Sequence, residues 1–338
     1  MKIDACITLK PAPRVMRILA FILLLVGSGT PYAASSDSDK AWPTKPVRVV
    51  VGFTPGGVAD VLGRYVCEKL AKYNGQAFVI DNRPGAGGNI GAGIVARANP
   101  DGYQILFTPG SVLSMNPSLY SKVPFDTDSF APVSLLADMA VVLVVNAKNP
   151  ARNLGEFIGA AKGEPGRVLF SSPGAGSSLH LSVELFQRVA GVSIQHIPYK
   201  GGGEALTAVL SGQASGMFAN PPFVMSQIKA GSLRALAVAG SERLPQLPEV
   251  PSTAELGLRG FDISSWFGVV APSRTSRALV QQLSNQIAQA LREADVQQRL
   301  TDLGVRPIGS GPDEFAAFLT KDRAKWDSVI RAAQIRLE

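Results

Sequence analysis

"VRVVVGFTPGGVADVLGRYV" spans Val47 to Val66 and changes its residue pattern twice. A run of β-branched residues, which is typical of a buried strand, ends in the turn Gly52-Phe53-Thr54-Pro55-Gly56-Gly57. Leu62, Tyr65 and Val66 then follow at the spacing of one helix face. The stretch therefore predicts a strand, a glycine-rich turn and a helix in that order.

The same alternation continues along the chain. The pattern predicts a second strand at 77–81, a second helix at 89–98 and a third strand at 103–107. The turn Asn99-Pro100-Asp101-Gly102 ends the second helix. A β-α-β-α-β order predicts a parallel sheet with right-handed crossovers.

The pattern restarts after an irregular stretch that ends near residue 140. Further strands are predicted at 141–145, 167–170, 194–197, 217–218, 233–239 and 265–270, and further helices at 153–161 and 203–210, after the turn at 171–178, and twice near the C-terminus. We therefore predict an α/β protein with two lobes.

The chain order also predicts which residues form each lobe. Lobe 1 comprises residues 42–137 plus 263–338, and lobe 2 comprises residues 138–262. The crossings near 137–139 and 261–263 are the expected hinges.

Residues 1–35 have the features of a secretory signal peptide. Four basic residues precede the apolar run at 18–26, and small residues lead to Ala33-Ala34-Ser35. A short transmembrane helix is the alternative, but a span needs about 20 apolar residues. No cysteine lies near the exit, which argues against a lipid anchor. We expect an exported, periplasmic protein.

Composition excludes several classes of protein. The chain has 338 residues, of which 46% are hydrophobic and 17% charged, as in a packed globular protein. The net charge of +7 falls to about +4 without residues 1–35, and the remainder has no lysine or arginine run. Nucleic acid is therefore not an expected partner. Cys67 is the one cysteine after the leader, so no intrachain disulfide is expected and Cys67 is predicted to be a core residue.

Three glycine-rich turns precede predicted helices: residues 52–60, residues 83–89, and the turn within "FSSPGAGSSLHLSVELF", Phe170 to Phe186. Such a turn leaves backbone N–H groups unpaired at a helix N-terminus. With the helix dipole, these groups can hold a carboxylate without a basic side chain. The hydroxyls of Ser177 and Ser178 either add donors or cap the helix. The alternative is that the glycines only make sharp turns.

Catalytic and metal-binding motifs are weak. The chain has no phosphate-binding G-x-x-x-x-G-K-[ST] and no G-x-S-x-G, and Gly85 to Gly91 misplaces the last glycine of a dinucleotide fingerprint. Neither His180 nor His196 has metal-ligand spacing, so we expect no metal and no cofactor. His180 is expected to form a structural pair with Glu184, and His196 to be packed in a strand. A serine nucleophile that uses His180 stays open, with no third group to orient it.

Seven sequence clusters follow one another over nearly the whole chain after the leader. They are Trp42-Pro43-x-x-Pro46, Phe53-x-Pro55-Gly56-Gly57-x-x-Asp60, Asn82-Arg83-Pro84-Gly85-Ala86-Gly87-Gly88, Pro100-Asp101-Gly102-Tyr103, Gly174-x-Gly176-Ser177-x-x-His180, Pro198-Tyr199-Lys200-Gly201-Gly202, and Leu236-Ala237-Val238 with Pro248-x-Val250-Pro251-x-x-x-Glu255. In this order the clusters resemble the Bug family (Bordetella uptake gene products), the extracytoplasmic receptors of tripartite tricarboxylate transporters.

The resemblance implies a type II periplasmic-binding-protein fold whose lobes close on a small carboxylated ligand, such as a dicarboxylate, amino acid or aromatic acid. It implies that one carboxylate lies at the turn Phe53 to Gly57 and the other end of the ligand at Gly174 to Ser178. Asp60 matches the family aspartate, with a local bond and a ligand contact as equal alternatives. The expected ligand-binding residues are Phe53, Thr54, Pro55, Gly56, Gly57, Asp60, Ser171, Gly174, Gly176, Ser177, Ser178, His180, Tyr199 and Gly201.

The resemblance also implies the partners of the protein. We expect a monomeric, non-catalytic receptor that delivers its ligand to the membrane components of a tripartite tricarboxylate-type transporter. A ligand-binding sensor and an enzyme on the same fold are the alternatives.

Overall fold

The computed structural model describes residues 42–302 and 304–337, and its strands form two β-sheets. The predicted signal peptide lies outside the described residues. The strands are β1 (Val47–Val51), β2 (Phe78–Asn82), β3 (Gln104–Pro109), β4 (Phe130–Ala140), β5 (Val142–Asn146), β6 (Val168–Ser172), β7 (Ile194–Pro198), β8 (Gly216–Ala219), β9 (Leu233–Val238), β10 (Ser264–Pro272) and β11 (Arg306–Pro307). The predicted α/β class is confirmed.

Ten α-helices are described. They are α1 (Val58–Asn74), α2 (Asn89–Ala96), α3 (Asn116–Leu119), α4 (Leu154–Gly163), α5 (Ser178–Ala190), α6 (Gly202–Leu210), α7 (Pro221–Lys229), α8 (Arg277–Arg292), α9 (Ala294–Asp302) and α10 (Pro312–Ala333). A π-helical turn, Ser111–Met115, links β3 to α3. Within the described ranges, no helix combines the length and the apolar character needed to span a membrane.

The first sheet has the strand order β11-β4-β10-β3-β1-β2. β1 pairs in parallel with β2 and β3, so that Val49 lies opposite Ile80 and Ile105. β10 returns antiparallel to β3 and β4. Because β1, β2 and β3 run in the same direction, the turns that follow them lie at one edge of the sheet.

The second sheet has the strand order β7-β6-β8-β5-β9. β6 pairs in parallel with β7 and β8, whereas β5 is antiparallel to β8 and β9. The carboxyl ends of β6, β7 and β8 therefore share an edge. The third glycine-rich turn follows β6 at this edge, before α5.

The core of the second sheet is built around four phenylalanine rings, Phe170, Phe186, Phe218 and Phe261. Ring centroids of the contacting pairs lie 5.3 to 5.7 Å apart, in the tilted and edge-on arrangements that aromatic rings favour. Residues from segments that the sequence assigned to lobe 1 also pack in this core: Met115, Leu119, Trp326, Val329 and Ile330. The N-terminal half of α10 packs elsewhere, because Phe315 lies edge-on against Trp266 in the core of the first sheet.

The structure differs from the predicted elements most clearly in three segments. Residues 130–140, expected to be irregular, form the strand β4, and residues 221–229, where no element was predicted, form α7. The first of the two expected C-terminal helices is divided into α8 and α9 at Glu293, whose backbone is extended. This break directs Glu293 and Asp295 to the ammonium group of Lys69, at 2.6 and 2.8 Å.

Cys67 occupies the position predicted for it. Its side chain is buried in α1, and burial raises the pKa of the thiol to about 12. A thiol of this kind stays protonated at neutral pH and behaves as a small apolar group.

Candidate functional site

The first and second glycine-rich turns contact each other through their backbones. A Cβ atom added to Gly52 would lie 2.8 Å from Cα of Gly88, and one added to Gly91 would lie 2.8 Å from Cα of Gly52. Gly88 also has a φ of +94°, which side-chain-bearing residues rarely adopt. Glycine is therefore required where the turn after β1 meets the turn after β2.

Asp60 stabilises the first turn from the interior of the fold. Its buried carboxylate accepts hydrogen bonds from the backbone N–H of Gly56 at 3.0 Å, from Nδ2 of Asn82 at 3.0 Å, and from the guanidinium of Arg64 at 2.9 and 3.0 Å. Asn82 also donates to the carbonyl of Phe53, at 3.0 Å. The Arg64 hydrogen bonds hold the pKa of Asp60 below its usual value. Both oxygens of the carboxylate are thus engaged within the turn.

The rest of the first turn is accessible. Residues 54–57 are exposed, and α1 begins after Gly57 without a side-chain cap. Among the described residues, the N–H groups of Gly57, Val58 and Ala59 have no hydrogen-bond acceptor. The positive end of a 17-residue helix therefore faces outward with unpaired donors, which is an arrangement suited to an anion.

The third turn is held largely by its own side chains. The Ser177 hydroxyl caps α5: it accepts from the N–H of His180 at 3.1 Å and donates to the carbonyl of Gly174 at 2.8 Å. The Ser171 hydroxyl is buried and donates to the carbonyl of Ala205 at 2.9 Å, so it points into the fold. The Ser178 hydroxyl has no hydrogen bond in the described part of the chain.

Gly176 has a packing role. Its φ is +74°, and an added Cβ would lie 2.5 Å from Cδ1 of Leu337. Leu337 in turn forms a β-bridge with Tyr120, directly after α3, and its N–H donates to the carbonyl of Leu119 at 2.7 Å. A Cβ on Gly87, in the second turn, would lie 2.7 Å from the hydroxyl of Tyr120. The Tyr120–Leu337 bridge thus borders both the second and the third turn.

The two histidines meet beneath the third turn. Their rings stack with centroids 3.7 Å apart. Nδ1 of His180 accepts from the N–H of Gly176 at 2.9 Å, and Nε2 of His196 lies 2.6 Å from the hydroxyl of Ser172. Nε2 of His180 lies 3.5 Å from Glu184, so the expected pair forms. His196 does more than pack in its strand, which sequence reasoning missed because 16 residues separate the two rings along the chain.

Tyr199 and Gly201 follow β7 at the same edge. The N–H of Tyr199 donates to the carbonyl of Ser172 at 2.9 Å, and α6 begins after Gly201 without a side-chain cap. A third strand end was not predicted: Asn220 follows β8 and donates from Nδ2 to the carbonyl of Ala140 and to the hydroxyl of Ser265, both at 3.0 Å. The Asn-Pro-Pro sequence, with proline at the first helical position, is the signal that would have found it.

The structure groups the predicted residues into two sets. Turn 53–57 with Asp60 lies at the edge of the first sheet, and 171–180 with 199–201 lies at the edge of the second. No hydrogen bond joins the two sets among the described residues. Two cavities, of about 630 and 400 Å³, are lined by other residues, chiefly 117–121 with 330–331 and 334–336, and 238–246 with 304–307. No cluster of three metal-ligating side chains occurs in residues 42–302 and 304–337.

Comparisons with known proteins agree on one family. The family model described as "Tripartite tricarboxylate transporter family receptor" matches residues 62–335. A protein encoded between tcbD and tcbE in Pseudomonas sp. strain P51 is 36% identical over 93% of each chain. BugT of Bordetella pertussis is 34% identical over 96% of this chain and 99% of its own. The predicted family is confirmed.

Solved structures agree with the sequence relatives. Rpa4515 of R. palustris with adipate superposes with a TM-score of 0.74, at 33% identity over 87% of this chain and 99% of that one. MatC of Rhodopseudomonas palustris with bound malate gives 0.70, at 33% identity over 86% and 100%. The periplasmic binding protein BugD gives 0.71, at 30% identity over 88% and 100%. The predicted two-lobe periplasmic-binding-protein fold is confirmed.

Proposed function

We propose that this protein, which belongs to the tripartite tricarboxylate transporter receptor family, is an exported receptor that captures a small carboxylated metabolite between its two glycine-turn edges. It then delivers this ligand to the membrane components of a tripartite tricarboxylate-type transporter. The role is one of binding, without catalysis, by one chain per ligand in the periplasm.

The observation that carries the proposal is the first turn. It presents unpaired amides at the start of α1, while Asp60 and Asn82 fix its shape from the inside. A preformed set of amides at a helix N-terminus binds a carboxylate with little loss of conformational entropy. Two relatives with the same fold were solved with adipate and malate, and both ligands are dicarboxylates.

The predicted site residues divide into two roles. We assign direct contact with the ligand to residues whose side chain or N–H has no hydrogen-bond partner within the turns, namely Phe53, Thr54, Pro55, Gly57, Ser178, Tyr199 and Gly201. The remaining residues hold the turns in place, because their polar groups already bond within the fold: Gly56, Asp60, Ser171, Gly174, Gly176, Ser177 and His180.

An enzymatic role receives no support from the histidines. Ser172 is hydrogen-bonded to His196, yet its side chain is fully buried and cannot reach a substrate. His196 also lacks a carboxylate within hydrogen-bond distance to orient it as a base, among the residues that the structure describes. A binding protein that serves a sensor would use the same site, and gene neighbourhood separates this alternative from transport.

A thermal-shift screen tests the proposal. The full mature chain is heated with adipate, malate, other small carboxylic acids, neutral sugars and amines. A ligand at 100 times its dissociation constant is expected to stabilise the fold by about 2.7 kcal/mol. Calorimetric titration of the best acid should then give one site per chain. A melting shift with sugars or amines alone would show that the proposal is wrong.

A further inference from the structure

The stacked histidines support both ends of the third turn. His180 binds the turn through the N–H of Gly176, at 2.9 Å, and His196 binds the Ser172 hydroxyl, at 2.6 Å. Ser172 is itself within 3.1 Å of the carbonyl and 3.3 Å of the N–H of Gly174. The backbone from Ser172 to Gly176 is thus tied down at its start by one ring and at its end by the other.

The hydrogen bond from Gly176 fixes the protonation state of His180. Nδ1 accepts this bond only when it carries no proton, so the ring is neutral with its proton on Nε2, toward Glu184 at 3.5 Å. A second proton would have to go to Nδ1. It would place an N–H donor directly opposite the N–H of Gly176 and break the bond.

The ring of His196 opposes protonation of the pair as well. It lies 3.7 Å from His180 in a nearly parallel stack, so a charge on one ring repels a charge on the other. Burial, together with His180, lowers the pKa of His196 to about 4. The titratable groups that act on this ring are His180 and Glu184 from α5, and β6 contributes the Ser172 hydroxyl.

We propose that the His180–His196 stack is a positioning device which shapes the third turn for the ligand only while both rings are neutral, so that carboxylate binding weakens as the pH falls. This inference rests on the proposed function. His180 and His196 act through the turn backbone and do not touch the ligand.

Two effects of protonation oppose each other. A cationic His180 would attract an anionic ligand, but Glu184 beside Nε2 offsets this charge. The bond to Gly176 is lost outright, because the acceptor has become a donor. The loss of the bond therefore dominates, and we expect the affinity for adipate to be about tenfold lower when His180 is protonated than when it is neutral.

The chain offers a direct test, because it contains only two histidines. An untagged, full mature chain gives two imidazole titration curves by nuclear magnetic resonance. The amide resonance of Gly176 should shift with the same midpoint as one of them, without any ligand. In His180→Asn, the side-chain oxygen can accept from Gly176 but does not titrate, so this amide should lose its pH dependence.

Calorimetric titration with adipate then compares wild type, His180→Asn and Glu184→Gln from about pH 7.5 to pH 5. The affinity of His180→Asn for adipate should change less with pH than that of the wild type. The change that remains in this variant measures the effect of protonating adipate itself. Glu184→Gln removes the carboxylate beside Nε2 but leaves the acceptor Nδ1 in place, so this variant should keep the fall in affinity that His180→Asn loses. Unfolding curves confirm that each variant is folded, and His196→Phe, which keeps a stacking surface, replaces any variant that is not.

The outcomes separate the two proposals. Absence of binding by every carboxylic acid of the thermal-shift screen, at every pH, would contradict the proposed function, while the Gly176 amide would still decide the present inference. A Gly176 amide that ignores the histidine titration, or equal pH profiles in wild type and His180→Asn, would overturn it. A Gly176 shift that His180→Asn abolishes, with a flattened affinity profile, would establish it.

Discussion

Asp60→Asn is expected to loosen the first turn and weaken ligand binding at neutral pH. The carboxylate accepts four hydrogen bonds, from Gly56, Asn82 and twice from Arg64. An asparagine keeps one acceptor oxygen and presents an NH₂ group in place of the other. Whichever way this side chain is oriented, two donors will face each other beneath the turn.

The expected loss of stability in Asp60→Asn depends on how exposed each hydrogen-bond partner is. A hydrogen bond to a buried charged group contributes about 1.5–3 kcal/mol, whereas the Arg64 side chain is 53% exposed and its ion pair contributes only about 0–1 kcal/mol. We expect the free energy of unfolding to fall by about 2–3 kcal/mol. If about 1.4 kcal/mol of this appears as misplacement of the turn, the affinity for adipate falls about tenfold.

The assay pairs this variant with Glu293→Gln. Glu293 receives hydrogen bonds from Lys69 and Tyr73 at the C-terminal end of α1, far along the helix from the turn. This control also replaces a carboxylate that binds a cation, so it should reduce stability without changing the dissociation constant. Calorimetric titration and urea unfolding are run on both. Equal losses of affinity, or wild-type affinity in Asp60→Asn, would refute the reasoning.

The pH dependence of stability has a defined sign at Asp60. Its pKa is lowered in the folded protein, chiefly by the Arg64 hydrogen bonds. The unfolded chain therefore takes up a proton at a higher pH than the folded one, near the ordinary value of about 3.9. The stabilisation is complete above that value and is lost as the pH falls through the lower folded pKa. Asp60→Asn should accordingly show a shallower loss of stability in acid than the wild type.

Three further predictions concern the third turn and the motion of the lobes. Ser177→Ala removes the cap of α5 and should cost about 1 kcal/mol of stability by urea unfolding, with a smaller loss of adipate affinity than Asp60→Asn; an unchanged unfolding curve would contradict the cap. Gly176→Ala should destabilise the protein because of its φ of +74° and its contact with Leu337, and Leu337→Ala should recover part of that loss in a double-mutant cycle; additive effects would exclude the contact. Small-angle scattering should give a smaller radius of gyration with saturating adipate, since a ligand bridging both turns favours the closed state; an unchanged radius with confirmed binding would count against closure.

Most of the secondary structure could be predicted from hydrophobic spacing, but β4 could not. Its sequence contains Pro132, which ordinarily argues against a strand. The structure accommodates this proline at an irregularity in the pairing with β10, where the register shifts between Val269 and Val270. A sequence shows the proline but not the partner strand, which lies more than 130 residues away.

In the candidate site, too, local features could be predicted from the sequence and contacts between distant segments could not. The glycine turns are local features of strand ends and helix starts, so their positions could be predicted. The local bond given as one alternative for Asp60 is present, with Gly56 and Arg64 as partners. The bond of Asp60 with Asn82, 22 residues away, and that of His196 with Ser172, 24 residues away, could not be predicted, because these partners come from other elements. Gly176 was expected to admit a ligand, and the structure places Leu337 against it.

The first and third glycine-rich turns are held by groups of different chemistry, and this difference gives the two turns different roles in binding. The first turn rests on a carboxylate that stays ionised across the whole neutral range, because hydrogen bonds lower its pKa. The third rests on two imidazoles and on a contact with Leu337. Protonation of an imidazole changes the hydrogen bonds that it can make. A ligand that binds at the first turn therefore contacts amides whose positions are fixed. Any change of conformation on binding is expected in the third turn. Variants at His180 should alter the pH dependence of affinity, whereas variants at Asp60 should lower affinity at every pH above the titration of that carboxylate.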